Sequence, residues 1–362
     1  MHGVWCGGHF PAARYENGVG DESMNWVIVV GLVYIWSQVF GRCLASYGDI
    51  EPNFRRCVDD CLRKGFCSDM KLEAEMQAMH PVRTWFSSFV SRTCDERCEY
   101  RCMTEITEQR QVLGLPVYKY HGHWAFTRYL GLEEPASVVF SFANGVPHVW
   151  QLWRWCATGG KKSWQSYFMM PYLVLYPLVA LTAWLSSAVF HAKKTPRSTL
   201  IDYSTALVFL AYGLWLTLRR VIGPRTHRSA VTILLLAGCT LLVWRLDCMW
   251  RGRVTYDSHM RLCIVIAVTT ISLWGLWIVC GGGTGTNLAH PHNRFRCLAC
   301  QIAFAAASML ELFDFPPLWG VFDAHSLWHL ATVPLGFLWY TFWQQDRRNI
   351  AVQEHPEKAK SE

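Results

Sequence analysis

From about residue 133 onward the chain is a succession of apolar runs, each roughly 18–25 residues long, the length a helix needs to cross a bilayer. Lipid offers no water to backbone N–H and C=O groups, so such runs must satisfy themselves as helices. They lie near 135–156, 167–191, 200–220, 229–247, 260–280, 296–313 and 321–343. The fold class they predict is an all-α membrane protein built as a seven-transmembrane helix bundle. The first run is the weakest, because Asn144, Pro147 and His148 interrupt it. Those residues are expected to line a cavity or to mark a re-entrant segment.

The chain before residue 133 is polar and rich in cysteine. One apolar run, Trp26 to Phe40, is short for a span and suits a signal-peptide core, with cleavage after Ala45 and Met24 as a candidate start. An uncleaved anchor would instead give eight helices. Behind it come Cys57, Cys61 and Cys67, then Cys94, Cys98 and Cys102. An even cysteine count behind a secretory signal reads as a disulfide framework in an oxidising lumen. The spacing puts Cys57 with Cys61, and Cys94 with Cys98 and Cys102, on single helical faces, as two short helices stapled together. It does not choose the pairing. Zinc is the weaker reading for these cysteines, since C-x2-C is missing and His80 is isolated. The expected order is therefore an N-terminal extension and signal peptide (1–45), a disulfide-rich lumenal domain (46–133), the helix bundle (134–344) and a cytosolic tail (345–362).

A lumenal N-terminus and seven helices put the C-terminus in the cytosol. Loops on that side carry Arg154, Lys161, Lys162, Arg219, Arg220, Arg225, Arg228, Arg294, Arg296, Arg347, Arg348, Lys358 and Lys360. The opposite loops carry only Lys193, Lys194, Arg197, Arg245, Arg251, Arg253 and Arg261. This bias follows the positive-inside rule. Basic loops beside anionic lipid account for the net charge of +7, so no nucleic-acid partner is implied. Lys358 and Lys360 resemble a dilysine retrieval signal read by coat proteins, the alternative being an ordinary charged tail. Residence in the endoplasmic reticulum or the Golgi is expected, without a choice between them.

The chemistry-bearing residues sit at helix margins. Ser187 and His191 lie at the lumenal end of the second run, Asp202 near the lumenal start of the third, and Asp323, His325 and His329 at the lumenal start of the seventh. His325 and His329 are four apart, about 6 Å along one helical face. Two such histidines and a third from another helix make a plausible zinc site with an open position. Each residue also has a plain structural role available. Ser187 can be a packing residue, Asp202 and Asp323 helix caps, and His148 a hydrogen-bond partner between helices. What favours a site is that three separate segments deliver five polar groups to one membrane face. Asp314 shares that face as an alternative base, but the following Pro316-Pro317 suggests a structural turn. The Gly281–Thr286 stretch lacks the lysine of a phosphate loop and reads as a turn. There is no G-x-S-x-G elbow.

The Ser-x3-His, the Asp eleven residues on and the late His-x3-His are similar to the signature of the CREST superfamily of seven-helix membrane hydrolases. Within it the chain resembles the Per-one-like family. The resemblance rests on Gly48-Asp-Ile-Glu-Pro-Asn-Phe54, the six cysteines, Tyr120-His-Gly-His-Trp-Ala-Phe126, Gly131-Leu-Glu-Glu-Pro-Ala-Ser-Val-Val-Phe140, Asp202-Tyr203, Phe313-Asp-Phe-Pro-Pro-Leu318 and Asp323-Ala-His-Ser-Leu-Trp-His329. It runs from about residue 47 to 345. It implies lipid remodelling of GPI-anchored proteins, by removal of the sn-2 acyl chain to a lyso form that is then reacylated. It also implies zinc on His191, His325 and His329, with Ser187 and Asp202 as the catalytic polar pair. The rival expectations are a ceramidase-like amidohydrolase, and a receptor or folding factor holding a structural metal.

Overall fold

The computed structural model describes residues 47–64, 91–157, 167–223, 228–280 and 291–354. The expected signal sequence, Cys67, His80, the Gly281–Thr286 turn and the Lys358/Lys360 tail lie outside the described residues. The described helices are α1 (Tyr47–Ile50), α2 (Pro52–Arg63), α3 (Cys94–Val112), α4 (Pro135–Ala157), α5 (Met170–Leu173), α6 (Tyr176–Ala192), α7 (Pro196–Ile222), α8 (Arg228–Trp250), α9 (Tyr256–Val279), α10 (Pro291–Phe313) and α11 (Ala324–Glu354). Among the described residues there is no strand, only isolated bridges such as Tyr120 with His123.

Helix starts follow from local chemistry. Glu51 precedes Pro52 and accepts from the Phe54 N–H at 2.6 Å, so α2 begins with a cap and a pre-set φ. Thr93 and Glu96 form a reciprocal capping box on α3. Thr195 and Ser198 do the same on α7, just ahead of Pro196. Asp202 is therefore inside α7 and not its cap, which corrects that alternative. Asp323 does cap α11, accepting from the Ser326 N–H at 2.8 Å.

The amino-terminal part is two helices stapled face to face. Cys57 is bonded to Cys102 and Cys61 to Cys98, an antiparallel register between α2 and α3. Cys94 is also disulfide-bonded. Phe54, Ile106 and Tyr120 fill the small core beneath. Tyr120 lies so close to Gly48 that a Cβ there would meet its ring 2.7 Å away.

Among the described residues four stretches, Met170–Ala192, Pro196–Ile222, Arg228–Trp250 and Tyr256–Val279, are long and apolar enough to cross a membrane. α4, α10 and α11 are as long but more polar. In α4 the reason is a single buried face. Ser137, Ser141, Asn144, His148 and Gln151 recur at helical spacing and all are buried. Ser141 meets Ser187 at 3.2 Å, Asn144 donates to the His329 carbonyl at 2.7 Å, and His148 meets the Tyr340 hydroxyl at 2.8 Å. Paired in this way, the polar residues do not break the helix. α4 runs unbroken through Pro147. Pro147 is received by Gly336 of α11, where a Cβ would sit 2.7 Å from the proline ring.

α4 packs between α6 and α11; α7 packs on α6 and α9, and α10 joins α9 to α11. α8 touches the bundle chiefly through α7. At one end lies an aromatic core containing Trp274, Trp277, Trp339, Phe342 and Trp343. At the other end the stapled helices and the candidate site meet.

Candidate metal centre

α6 and α11 each present histidine at that end. The Nε2 atoms of His191, His325 and His329 face one another, with separations of 3.4, 3.2 and 3.0 Å for the pairs 191–325, 191–329 and 325–329. His191 and His329 are buried and His325 is partly so. The outer nitrogens of two rings are held by carboxylates: Nδ1 of His191 lies 2.5 Å from Glu134 Oε2, and Nδ1 of His325 lies 2.6 Å from Glu311 Oε2.

This arrangement fixes tautomers. A carboxylate only accepts, so each Nδ1 carries the proton and each Nε2 presents a lone pair. In their neutral forms His191 and His325 then each turn an Nε2 lone pair into one small volume, an arrangement that a cation could complete. A tetrahedral zinc with bonds of about 2.0–2.1 Å would hold its nitrogens about 3.3–3.4 Å apart. The observed triangle is close to that size. The donor set, three imidazoles of which two are backed by carboxylates, fits zinc. His329 is the exception in its support, since its buried Nδ1 has no hydrogen-bond partner.

Glu134 is positioned by backbone. The Glu133 and Glu134 N–H groups donate to the last carbonyls of α6, Ala192 and His191, at 3.2 and 3.1 Å. That cap lays the Glu134 carboxylate on the His191 ring. Lys194 also binds Glu134. Burial alone would raise the Glu134 pKa, but Lys194 and the bond to His191 outweigh it and hold the group well below the usual carboxylate range. Glu133 pairs with Arg92 at 3.0 Å, and Arg92 reaches the Ala192 carbonyl at 3.4 Å. The Ser91–Thr93 segment that leads into α3 is thus tied to the end of the α6 site helix.

Ser187 and Asp202 are placed less tightly. Ser187 is one turn before His191 on α6, buried, with its Oγ against Ser141. Asp202 lies in the second turn of α7, within electrostatic reach of His325 and Glu134. Among the described residues no hydrogen bond joins either side chain to the histidines. Asp314, the alternative base, is paired with Lys119 at 2.6 Å and with the Trp124 Nε1–H at 3.2 Å.

The sequence reading missed the roles of Glu134 and Glu311. Glu134 sits in the Glu133-Glu-Pro-Ala-Ser string, whose position just before an apolar run was visible. Glu311 is a lone carboxylate near the end of α10, and a buried or half-buried acid in such a helix demands a partner.

A family model, the Per1-like family, matches residues 84–347. The chain belongs to the Per1-like family. Among similar proteins, one from Danio rerio named GPI-specific phospholipase A2-like PGAP3 is 32% identical over 314 residues, covering 86% of this chain and 94% of its own length. The human (Homo sapiens) protein of the same name is 31% identical, covering 83% and 89%. A Drosophila melanogaster protein named post-GPI attachment to proteins factor 3 is 30% identical, covering 85% and 91%. No solved structure matches.

Proposed function

We propose that this chain is a zinc-dependent acyl-ester hydrolase that removes the sn-2 chain from the lipid of GPI-anchored proteins. The observation that carries it is the convergence of three imidazole Nε2 atoms, two of the rings backed by Glu134 and Glu311, in a Per1-like chain whose relatives are named GPI-specific phospholipase A2-like. His191, His325 and His329 hold the ion. Bound zinc supplies Lewis acidity and lowers the pKa of its water from 15.7 to about 7, which makes a nucleophile at neutral pH.

The chain's own residues do the rest. Asp202, close enough to influence His325 electrostatically, accepts a proton and passes it to the departing alcohol. Ser187 donates a hydrogen bond to the ester oxygen as negative charge grows there. Its contact with Ser141 leaves the hydroxyl hydrogen free to turn, because Ser141 can serve as donor in that pair. Glu134 and Glu311 hold the two imidazoles in orientation and tautomer. We place this end of the bundle at the lumenal membrane face, in the endoplasmic reticulum or Golgi, where the stapled helices meet the substrate's head.

The test is mass spectrometry of GPI lipids in cells lacking this protein, rescued by wild type, His329→Ala or Asp202→Asn at matched expression. Wild type restores the lyso form and both variants fail. Normal lyso-GPI formation by either variant would sink the catalytic roles and leave a structural metal.

A further inference from the structure

A groove of about 410 Å³ runs along the outside of the bundle between α4 and α6. Ser141 lines its site end, and Ser141 Oγ is the atom that meets Ser187. Trp184 lines it too, and the same indole packs edge-on to the His329 ring at 5.4 Å between centroids. Gly145 and Leu181 bound its middle. Trp150 and Trp153, whose rings lie 4.9 Å apart, form its far end. Ser141 is the one hydroxyl in the lining; the rest is apolar, and much of it is half exposed, so the groove opens sideways.

We infer that this groove holds the acyl chain whose ester is cut. The inference rests on the hydrolase reading above and adds where the chain lies and what measures it. The groove surface is apolar along its length and ends over the buried Ser141, which meets Ser187, so it suits a hydrocarbon chain whose ester end reaches toward the metal centre. From Ser141 to Trp153 is twelve residues of helix, about 18 Å. One bilayer leaflet is about 15 Å deep, so the groove matches one acyl chain lying along α4. Continuity with the metal centre through Ser141 and Trp184 separates this groove from ordinary lipid-facing surface.

Gly145 keeps the groove open. A Cβ there would just touch Leu181 Cδ2 at 3.4 Å, so a larger side chain must project into the space or push Leu181 into it. Trp150 and Trp153, tilted against each other, bound the far end and set the length. Gly145 and the two tryptophans are thus specificity residues that never touch the reacting atoms.

The test uses the full chain in lipid nanodiscs with a GPI-anchored protein bearing sn-2 chains of graded length. Gly145→Phe is expected to keep release of the shortest chains and to lose the longer ones, by about fourfold for each methylene excluded. Trp153→Ala is expected to shift preference toward longer chains, and it covers the case in which Gly145→Phe fails to fold. A long-chain fatty acid with a terminal diazirine should crosslink to Trp150 or Trp153 in wild type. An unchanged or uniformly lowered length profile in both variants overturns the proposal, as do crosslinks scattered over the outer helices. Failure of the hydrolase reading looks different: wild type releases no chain of any length, while the diazirine still marks Trp150 or Trp153.

Discussion

α11 carries a buried polar cluster at each end, and they are built on opposite terms. Near its C-terminal end Asp346 is fully buried and completely answered. Arg220 donates twice to it at 2.7 and 2.8 Å, Tyr167 donates at 2.5 Å and Asn293 at 3.1 Å. Arg220 also lies over the Trp277 ring at 5.0 Å. Near the other end His191, His325 and His329 turn their Nε2 atoms toward one another. One cluster is closed, with the charge of Asp346 balanced inside the protein by Arg220. The other leaves three ring nitrogens facing one small volume that could hold a cation. A closed cluster holds helices together, while an open one is available for chemistry.

The largest expected effects separate the two ends. Asp346→Ala leaves a buried guanidinium unpaired, a loss of about 3–5 kcal/mol, so the protein should fail to accumulate or should melt early in detergent. His329→Ala should accumulate normally and release no acyl chain. Measuring level, melting temperature and lyso-GPI together decides it. A well-folded, active Asp346→Ala protein would erase the contrast.

Metal removal should act on one end alone. Elemental analysis of purified wild-type chain should find zinc, a strong chelator should abolish release, and added zinc should restore it. The conservative Asp346→Asn variant should retain its metal, while His325→Ala should not. Next in size come the supporting acids. Glu134→Gln keeps the shape and loses the charge that orients His191, and a lost partner of this kind weakens metal affinity about 10–100-fold. Competition with a chelator of known affinity reads this directly, and affinity equal to wild type would reduce Glu134 to a helix cap.

How much of this was legible in the sequence depends on the range of the interaction. Helical runs, caps and the i, i+4 histidine pair are local, and the sequence carries them. Ser187, His191, His325 and His329 could be grouped because topology sends their helices to one end. Glu134 and Glu311 could not be assigned, since each finds its histidine through packing between elements 57 and 14 residues apart in the chain. Arg220 reads in the sequence as a loop charge; 126 residues separate it from Asp346, and only the folded bundle brings the two together. α11 runs on to Glu354 through that pair. In α4 the polar residues looked like an interruption, because a one-dimensional reading cannot show that their partners stand on α6 and α11.

The smallest expected effect sharpens the comparison from outside both clusters. Asp314 pairs with Lys119 at 2.6 Å, a shorter contact than any between Arg220 and Asp346, yet their side chains are 54% and 30% exposed. Distance alone would rank it as the stronger pair. Exposure reverses the ranking, because water competes for both ions and surface pairs contribute about 0–1 kcal/mol. The backbone at Asp314 has φ of 39°, a left-handed conformation that asparagine also accepts. Asp314→Asn is therefore a clean substitution, with no backbone strain to confuse it. It should leave the melting temperature within a few degrees of wild type and lyso-GPI release intact, whereas Asp202→Asn abolishes release. If Asp314→Asn instead lost release with normal stability, the proton acceptor would sit on the 314–317 turn, and Asp202 would drop out of the site.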